Sequence, residues 1–193
     1  MDLFKNYLHI DIDEKLADYL YPISKKILLE TPLDEKYPNG KTTYFFKNKP
    51  RQFEDNLFPF YDFVFKNAKE YLKIMEVDTK KYTIEMNTIW FSEMYKNGSH
   101  EIHVHQGDDL SGNFYIFFEQ GSSPIKFYRT DFHYNTFNNI DFEKNNNYNS
   151  NIWVIPPEKG KLLMWQSNLL HSVDNNLTDS RIAISFNLKI IKL

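Results

Sequence analysis

The chain has 193 residues, a net charge of −3 and a pI near 6.1, which argues against a domain that grips nucleic acid by neutralising phosphates. It contains no cysteine, which excludes disulfide frameworks, thiolate metal sites and cysteine nucleophiles, so any metal must take imidazole and oxygen ligands. A hydrophobic share of 41%, with 17% aromatic and 25% charged residues, suits one globular domain over 1–193 and excludes a disordered chain.

The opening "MDLFKNYLHIDIDEKL" has no basic region followed by an apolar run, and nowhere do about 18 apolar residues run together. The expectation is a cytoplasmic protein with no membrane partner. Residues 13–30 set Leu16, Leu20, Ile23, Ile27 and Leu28 at helical spacing, with Pro22 as a break or kink, which predicts one or two short helices. After the turn-rich "TPLDEKYPNGKTT", the stretch "NLFPFYDFVFKNAKEYLKIM" places Phe60, Phe63, Val64, Tyr71, Leu72 and Met75 on one face of a second helix. From Tyr82 the period becomes two. Tyr82, Ile84 and Met86 alternate with Thr83, Glu85 and Asn87, and strand-like runs follow at 100–105, 112–118, 124–129, 152–155, 161–166 and 181–190. The reading is a helical N-terminal support over 1–80, then a mainly antiparallel β barrel or sandwich over 81–193. The polar, Asn-rich insertion 131–151, with His133 inside it, reads as a long loop or a lid.

Three of the six histidines crowd into "HEIHVH". On a regular strand, His103 and His105 point to one side about 6.6 Å apart, close enough for both imidazoles to reach one divalent ion. His100 has the opposite parity and reads as a neighbour of that ion. His171 is the natural third ligand. For any one histidine the plain alternative is a surface or hydrogen-bonded core residue. The last strand divides into an apolar face of Ile182, Ile184, Phe186 and Leu188 and a polar face of Arg181, Ala183, Ser185 and Asn187. A guanidinium heading that polar face suits a cavity that holds a carboxylate by a bidentate contact; the simpler alternative is a salt bridge at a strand end.

Three ordered blocks, "HVHQGDDLSGNFYI", "PPEKGKLLMWQSNLLH" and "RIAISFN", carry a resemblance that spans roughly residues 86–188. Together they resemble the Fe(II)/2-oxoglutarate-dependent oxygenase superfamily, and within it a small group of phage and bacterial oxygenases. Members carry H-x-D or a variant, a distal His, and a basic residue about ten positions on; His171 and Arg181 are separated by ten. The resemblance implies a double-stranded β-helix, a jelly-roll or cupin-like barrel. It implies Fe(II) held by His103, His105 and His171, with 2-oxoglutarate as co-substrate and Arg181 pairing its far carboxylate. Dioxygen would be consumed, 2-oxoglutarate would become succinate and carbon dioxide, and an unidentified substrate would be hydroxylated. Tyr115, Ser185 and Asn187 would line the co-substrate site, and Trp90, His100 and Trp165 the substrate pocket. The chain departs from the family where most members place an acidic second ligand. Here His105 fills that position, unless Asp108 or Asp109 in the following turn supplies the carboxylate. A filled position also speaks against halogenation, whose enzymes leave it empty.

Two other readings remain. A cupin would bind a metal through the same H-x-H and His171, with Asn175 four residues on, but Gly160 lies too far upstream and Arg181 would have no task. A non-catalytic barrel would use the histidines as polar lining. The substrate carries no decodable motif.

Overall fold

A computed structural model describes residues 6–45, 54–129, 141, 143–144, 146 and 149–193; most of the insertion 131–151, including His133, lies outside the described residues. The elements run β1 (His9–Ile12), α1 (Glu14–Glu30), β2 (Gly40–Thr42), α2 (Glu54–Ile74), β3 (Tyr82–Met94), β4 (His100–His103), β5 (Leu110–Phe118), β6 (Ile125–Tyr128), β7 (Ile152–Ile155), β8 (Lys161–Gln166), β9 (His171–Val173) and β10 (Arg181–Lys192).

The strands form two antiparallel sheets. The larger has the order β1-β8-β5-β10-β3-β2 and the smaller β4-β9-β6-β7. This is the double-stranded β-helix that the motif resemblance implied. Both helices cover one face of the large sheet. Leu16, Leu20 and Ile27 of α1 and Phe60, Val64 and Tyr71 of α2 pack there against Phe114, Met164, Ile184 and Phe186. Tyr115, Phe127, Leu163, Trp165 and Ala183 form a second cluster on the opposite face of that sheet. β10 therefore divides as its alternation requires: Ile182, Ile184, Phe186 and Leu188 under the helices, Ala183 with the inner cluster. Gly112 is required by packing, because a Cβ there would sit 2.2 Å from Phe186 Cζ.

α1 runs unbroken through Pro22. Asp13 caps it, accepting from the Leu16 N–H at 2.9 Å, and the buried Leu16–Ala17–Leu20–Ile27–Leu28 stripe outweighs the ~3 kcal/mol that an interior proline costs. Met75 departs from its expected place; it lies past the end of α2 and is exposed. The first 80 residues also contribute two strands that their composition does not announce. β1 extends the large sheet by pairing with β8, and β2 by pairing with β3, both through backbone bonds that any side chain could accompany. No helix of the described residues is long and apolar enough to cross a membrane.

Candidate metal centre

His103 ends β4 and His171 begins β9, and the two stand opposite one another in the small sheet, ring centroids 4.2 Å apart. His105 arrives differently from the way strand parity predicts. β4 stops at His103, and His105 sits in the loop beyond it, its N–H donating to the Ser167 carbonyl at 2.9 Å. Its ring lies 5.2 Å from that of His103 and 5.0 Å from that of His171. The regular alternation also fails on the other side. The four residues of β4, His100–His103, stand opposite three of β9, His171–Val173, a bulge that turns His100 toward the cluster, with its ring 5.8 Å from that of His103.

The ligand nitrogens of His103, His105 and His171 all lie within 4.8 Å of one another. His103 donates its Nδ1–H to the Glu101 carbonyl at 2.7 Å, and His171 its Nδ1–H to the Leu169 carbonyl at 2.9 Å. Both rings are thereby left with a lone pair on Nε2, the tautomer that a metal ligand needs. His171 Nε2 and His105 Nε2 are 3.2 Å apart. Two nitrogens bound side by side to one ion at about 2.1 Å would be separated by about 3.0–3.4 Å, so the donor set fits a first-row divalent metal. Burial, reinforced by neighbouring His103, lowers His105 to about 4 and His171 to about 3, which keeps both imidazoles neutral and ligand-ready at physiological pH. His100 is lowered to about 4, first by burial and then by His103 and Arg181.

Among the described residues the cluster contains no carboxylate. Asp108 accepts from Asn87 Nδ2 at 2.7 Å, and Asp109 accepts from the Ile190 N–H at 2.8 Å. The turn geometry thus turns both acids toward β3 and β10 and does not bring either into the cluster.

Arg181 is buried, and among the described residues it has no ion-pair partner. Its Nη2 donates to Tyr115 Oη at 3.2 Å, while its Nε has no partner. Tyr115 lies beneath the guanidinium, whose carbon is 4.9 Å from the ring centroid, so this tyrosine supports Arg181 and does not itself line the cleft. The lining combines Tyr37, Ser92 and Asn113 with Trp90, His100, Trp165, Arg181, Ser185 and the three clustered histidines. Trp90 stacks on His105 at 5.7 Å, and Trp165 meets His171 edge-on at 4.9 Å. Ser185 donates to Asn113 Oδ1 at 3.1 Å. Asn187 lies outside the lining and takes a hydrogen bond from Ser111 at 2.8 Å.

Tyr37 Oη, Asn113 Nδ2, Trp165 Nε1 and Arg181 Nε are the buried side-chain polar atoms without a partner among the described residues, and all four residues line this one cleft. Orphaned buried groups are rare, and these are donors. Burial pushes the Tyr37 phenol up to about 12, against the opposing pull of Arg181 and Ser92, so it stays protonated. The cleft is built for an acceptor-rich anion. Asn113 could have been read from the sequence, since it shares parity with Ser111 and Tyr115 on β5. Nothing local marks Tyr37, which reaches the site from the turn before β2.

By sequence, residues 88–187 match the model of a family described as "Putative 2OG-Fe(II) oxygenase". No curated protein matches the chain by sequence. By structure it is similar to HygX from Streptomyces hygroscopicus, solved with nickel and 2-oxoglutarate bound, with a TM-score of 0.62 and 9% identity over 95% of this chain and 83% of that one. It is similar to the non-heme alpha ketoglutarate dependent epimerase SnoN from nogalamycin biosynthesis, with a TM-score of 0.63 and 11% identity over 95% and 78%. A third similar structure is the viral collagen prolyl hydroxylase vCPH from Paramecium Bursaria Chlorella virus-1, with a TM-score of 0.57 and 14% identity over 96% and 97%. At these identities the structural likenesses speak to the fold alone, and two of these proteins, an epimerase and a prolyl hydroxylase, differ in the outcome they catalyse.

Proposed function

Because the chain belongs to the 2OG-Fe(II) oxygenase family, whose model covers residues 88–187 of the 193, it is a 2-oxoglutarate-dependent non-haem iron oxygenase, and we propose that it hydroxylates its substrate. His103, His105 and His171 would hold Fe(II), and Arg181 with Tyr37 would hold the far carboxylate of 2-oxoglutarate. When bound, the two supply dioxygen activation, with 2-oxoglutarate oxidised to succinate and carbon dioxide.

The protein's own side chains have separate tasks. His103 and His171 keep their Nε2 lone pairs aimed inward through their bonds to backbone carbonyls. Tyr115, beneath Arg181, holds the guanidinium in place and leaves Nε free to donate. Trp165 and Asn113 offer further N–H groups from the floor. Ile125 and Val173 make the remaining wall apolar and exclude water, which strengthens every charged contact inside.

The observation that supports hydroxylation over halogenation is that a third imidazole stands with the other two, where it would fill the second protein-ligand position. The test is turnover of the iron-loaded protein under isotopically heavy dioxygen, with carboxyl-labelled 2-oxoglutarate and a panel of candidate substrates. Iron-dependent release of labelled carbon dioxide, with a product heavier by one dioxygen-derived oxygen atom, is expected. A product that loses two hydrogens and gains no oxygen would replace hydroxylation by desaturation.

Tyr37→Phe removes one unpaired donor and little volume. The expected result is a rise in the 2-oxoglutarate KM of about 5- to 10-fold, the size of one neutral hydrogen bond, with iron affinity unchanged.

A further inference from the structure

The three clustered imidazoles stand on two kinds of backbone. His103 and His171 are paired with one another across the small sheet, and His171 is also paired with Phe127 on its other side. His105 belongs to neither sheet. It lies on the loop that leads to Leu110 at the start of β5, and this loop reverses at Gly107, whose φ of +87° suits glycine. A ring carried on such a turn is placed only as well as the turn's main chain is held.

Ser167 holds both ends of that loop. Its carbonyl accepts the His105 N–H at 2.9 Å, and its own N–H donates to the Asp109 carbonyl at 3.1 Å. Asp109 is tied in turn to β10, its N–H donating to the Leu188 carbonyl at 3.0 Å. Ser167 itself stands one residue past the end of β8, and its side chain anchors it there. The Ser167 hydroxyl lies 2.8 Å from that of Ser111, and Ser111 Oγ lies 2.8 Å from Asn187 Oδ1. An amide oxygen has no proton to give, so Ser111 donates to Asn187 and Ser167 donates to Ser111. Ser111 and Asn187 are register partners on β5 and β10. All three side chains are buried, so water does not compete for these bonds.

We infer that Ser167 is the positioning residue of His105. A hydrogen-bonded path runs from Asn187 on the floor of the large sheet through Ser111 to Ser167, and the Ser167 main chain fixes the turn that presents the His105 ring to His103 and His171. The inference rests on reading His105 as a metal ligand. It gives Asn187, which lies outside the cleft lining, the task of fixing the far end of that path.

The test begins without metal, because amide hydrogen exchange reads the His105 bond directly. In the wild type the His105 and Ser167 N–H groups should be protected although both lie outside strands. Ser167→Ala should speed exchange at His105 about 3- to 10-fold and weaken zinc and Fe(II) binding by a similar factor, the size of one neutral hydrogen bond, with exchange in β4 and β9 unchanged. Ser111→Ala should reproduce both effects, and the double variant should be no worse than either single one, because both changes cut one path. Ser24→Ala is the control for stability alone. It removes an equally buried bond, from Ser24 Oγ to the Leu20 carbonyl within α1, and should lower the melting temperature with metal affinity unchanged. A wild-type His105 amide that exchanges like an open peptide would overturn the inference, and that result needs no variant to fold. So would a Ser167→Ala protein with wild-type exchange at His105 or wild-type metal affinity, additive losses in the double variant, or a Ser24→Ala protein that loses as much metal affinity as Ser167→Ala. Zinc that binds without moving the His105 ring signals in proton–nitrogen spectra would instead refute His105 as a ligand, a result that exchange in the metal-free protein does not share.

Discussion

His171→Ala is expected to lower Fe(II) affinity by more than about 100-fold and to bring succinate formation to background, because it removes one of the three clustered imidazoles proposed to hold the iron and leaves two among the described residues. His171 is the ring that both of the others approach, and it is the most enclosed of the three. The fold should survive. The ring packs on Trp165 and Phe127, so truncation opens a cavity costing about 1–3 kcal/mol. The change also removes the 3.2 Å contact between His105 Nε2 and His171 Nε2. Isothermal titration with Fe(II) under anaerobic conditions and a thermal melt separate the two effects. Wild-type metal affinity in the variant would remove His171 from the ligand set and return attention to Asp108.

Arg181→Met should have the second largest effect, and of an unusual kind. Arg181 is a buried guanidinium with no carboxylate partner among the described residues and with Nε unpaired. The guanidinium would be completed by the carboxylate of the proposed co-substrate. Replacing it by an apolar chain of similar length removes a desolvated charge, so the apoprotein should melt at the same or a higher temperature. The affinity for 2-oxoglutarate should fall about 10- to 100-fold, matching the ~1.5–3 kcal/mol that a charged hydrogen bond contributes. The visible charge-transfer band of the anaerobic Fe(II) protein should accordingly need that much more 2-oxoglutarate to appear. A lower melting temperature with unchanged 2-oxoglutarate affinity would make Arg181 a structural residue.

Much of this arrangement could be read before any coordinates. The 3.6-residue stripe of α2 and the two faces of β10 are local consequences of backbone period, and apart from Met75 both formed as spaced. His103, His171 and Arg181 were legible for a related reason. Each sits at the end of a strand whose hydrophobic partners are recognisable, so its place in the sheet follows from the pattern. His105 was found by an argument that holds only on a regular strand. It reached the cluster by another route, a loop tethered to Ser167.

What the sequence determined by itself is the chemistry available: imidazoles without thiolates, a ten-residue interval from His171 to Arg181, and strands able to carry both. What only the tertiary structure decided is the company each group keeps. The bulge in β4 turned His100 inward against its parity, the turn after His105 sent Asp108 and Asp109 to other partners, and Tyr37 came from 144 residues away to stand near Arg181. These outcomes depend on pairings between distant segments, where backbone groups bond irrespective of side chain and register is set by the sum of many contacts. A local period records which face a residue takes within its own element, and carries no record of which other element will be opposite.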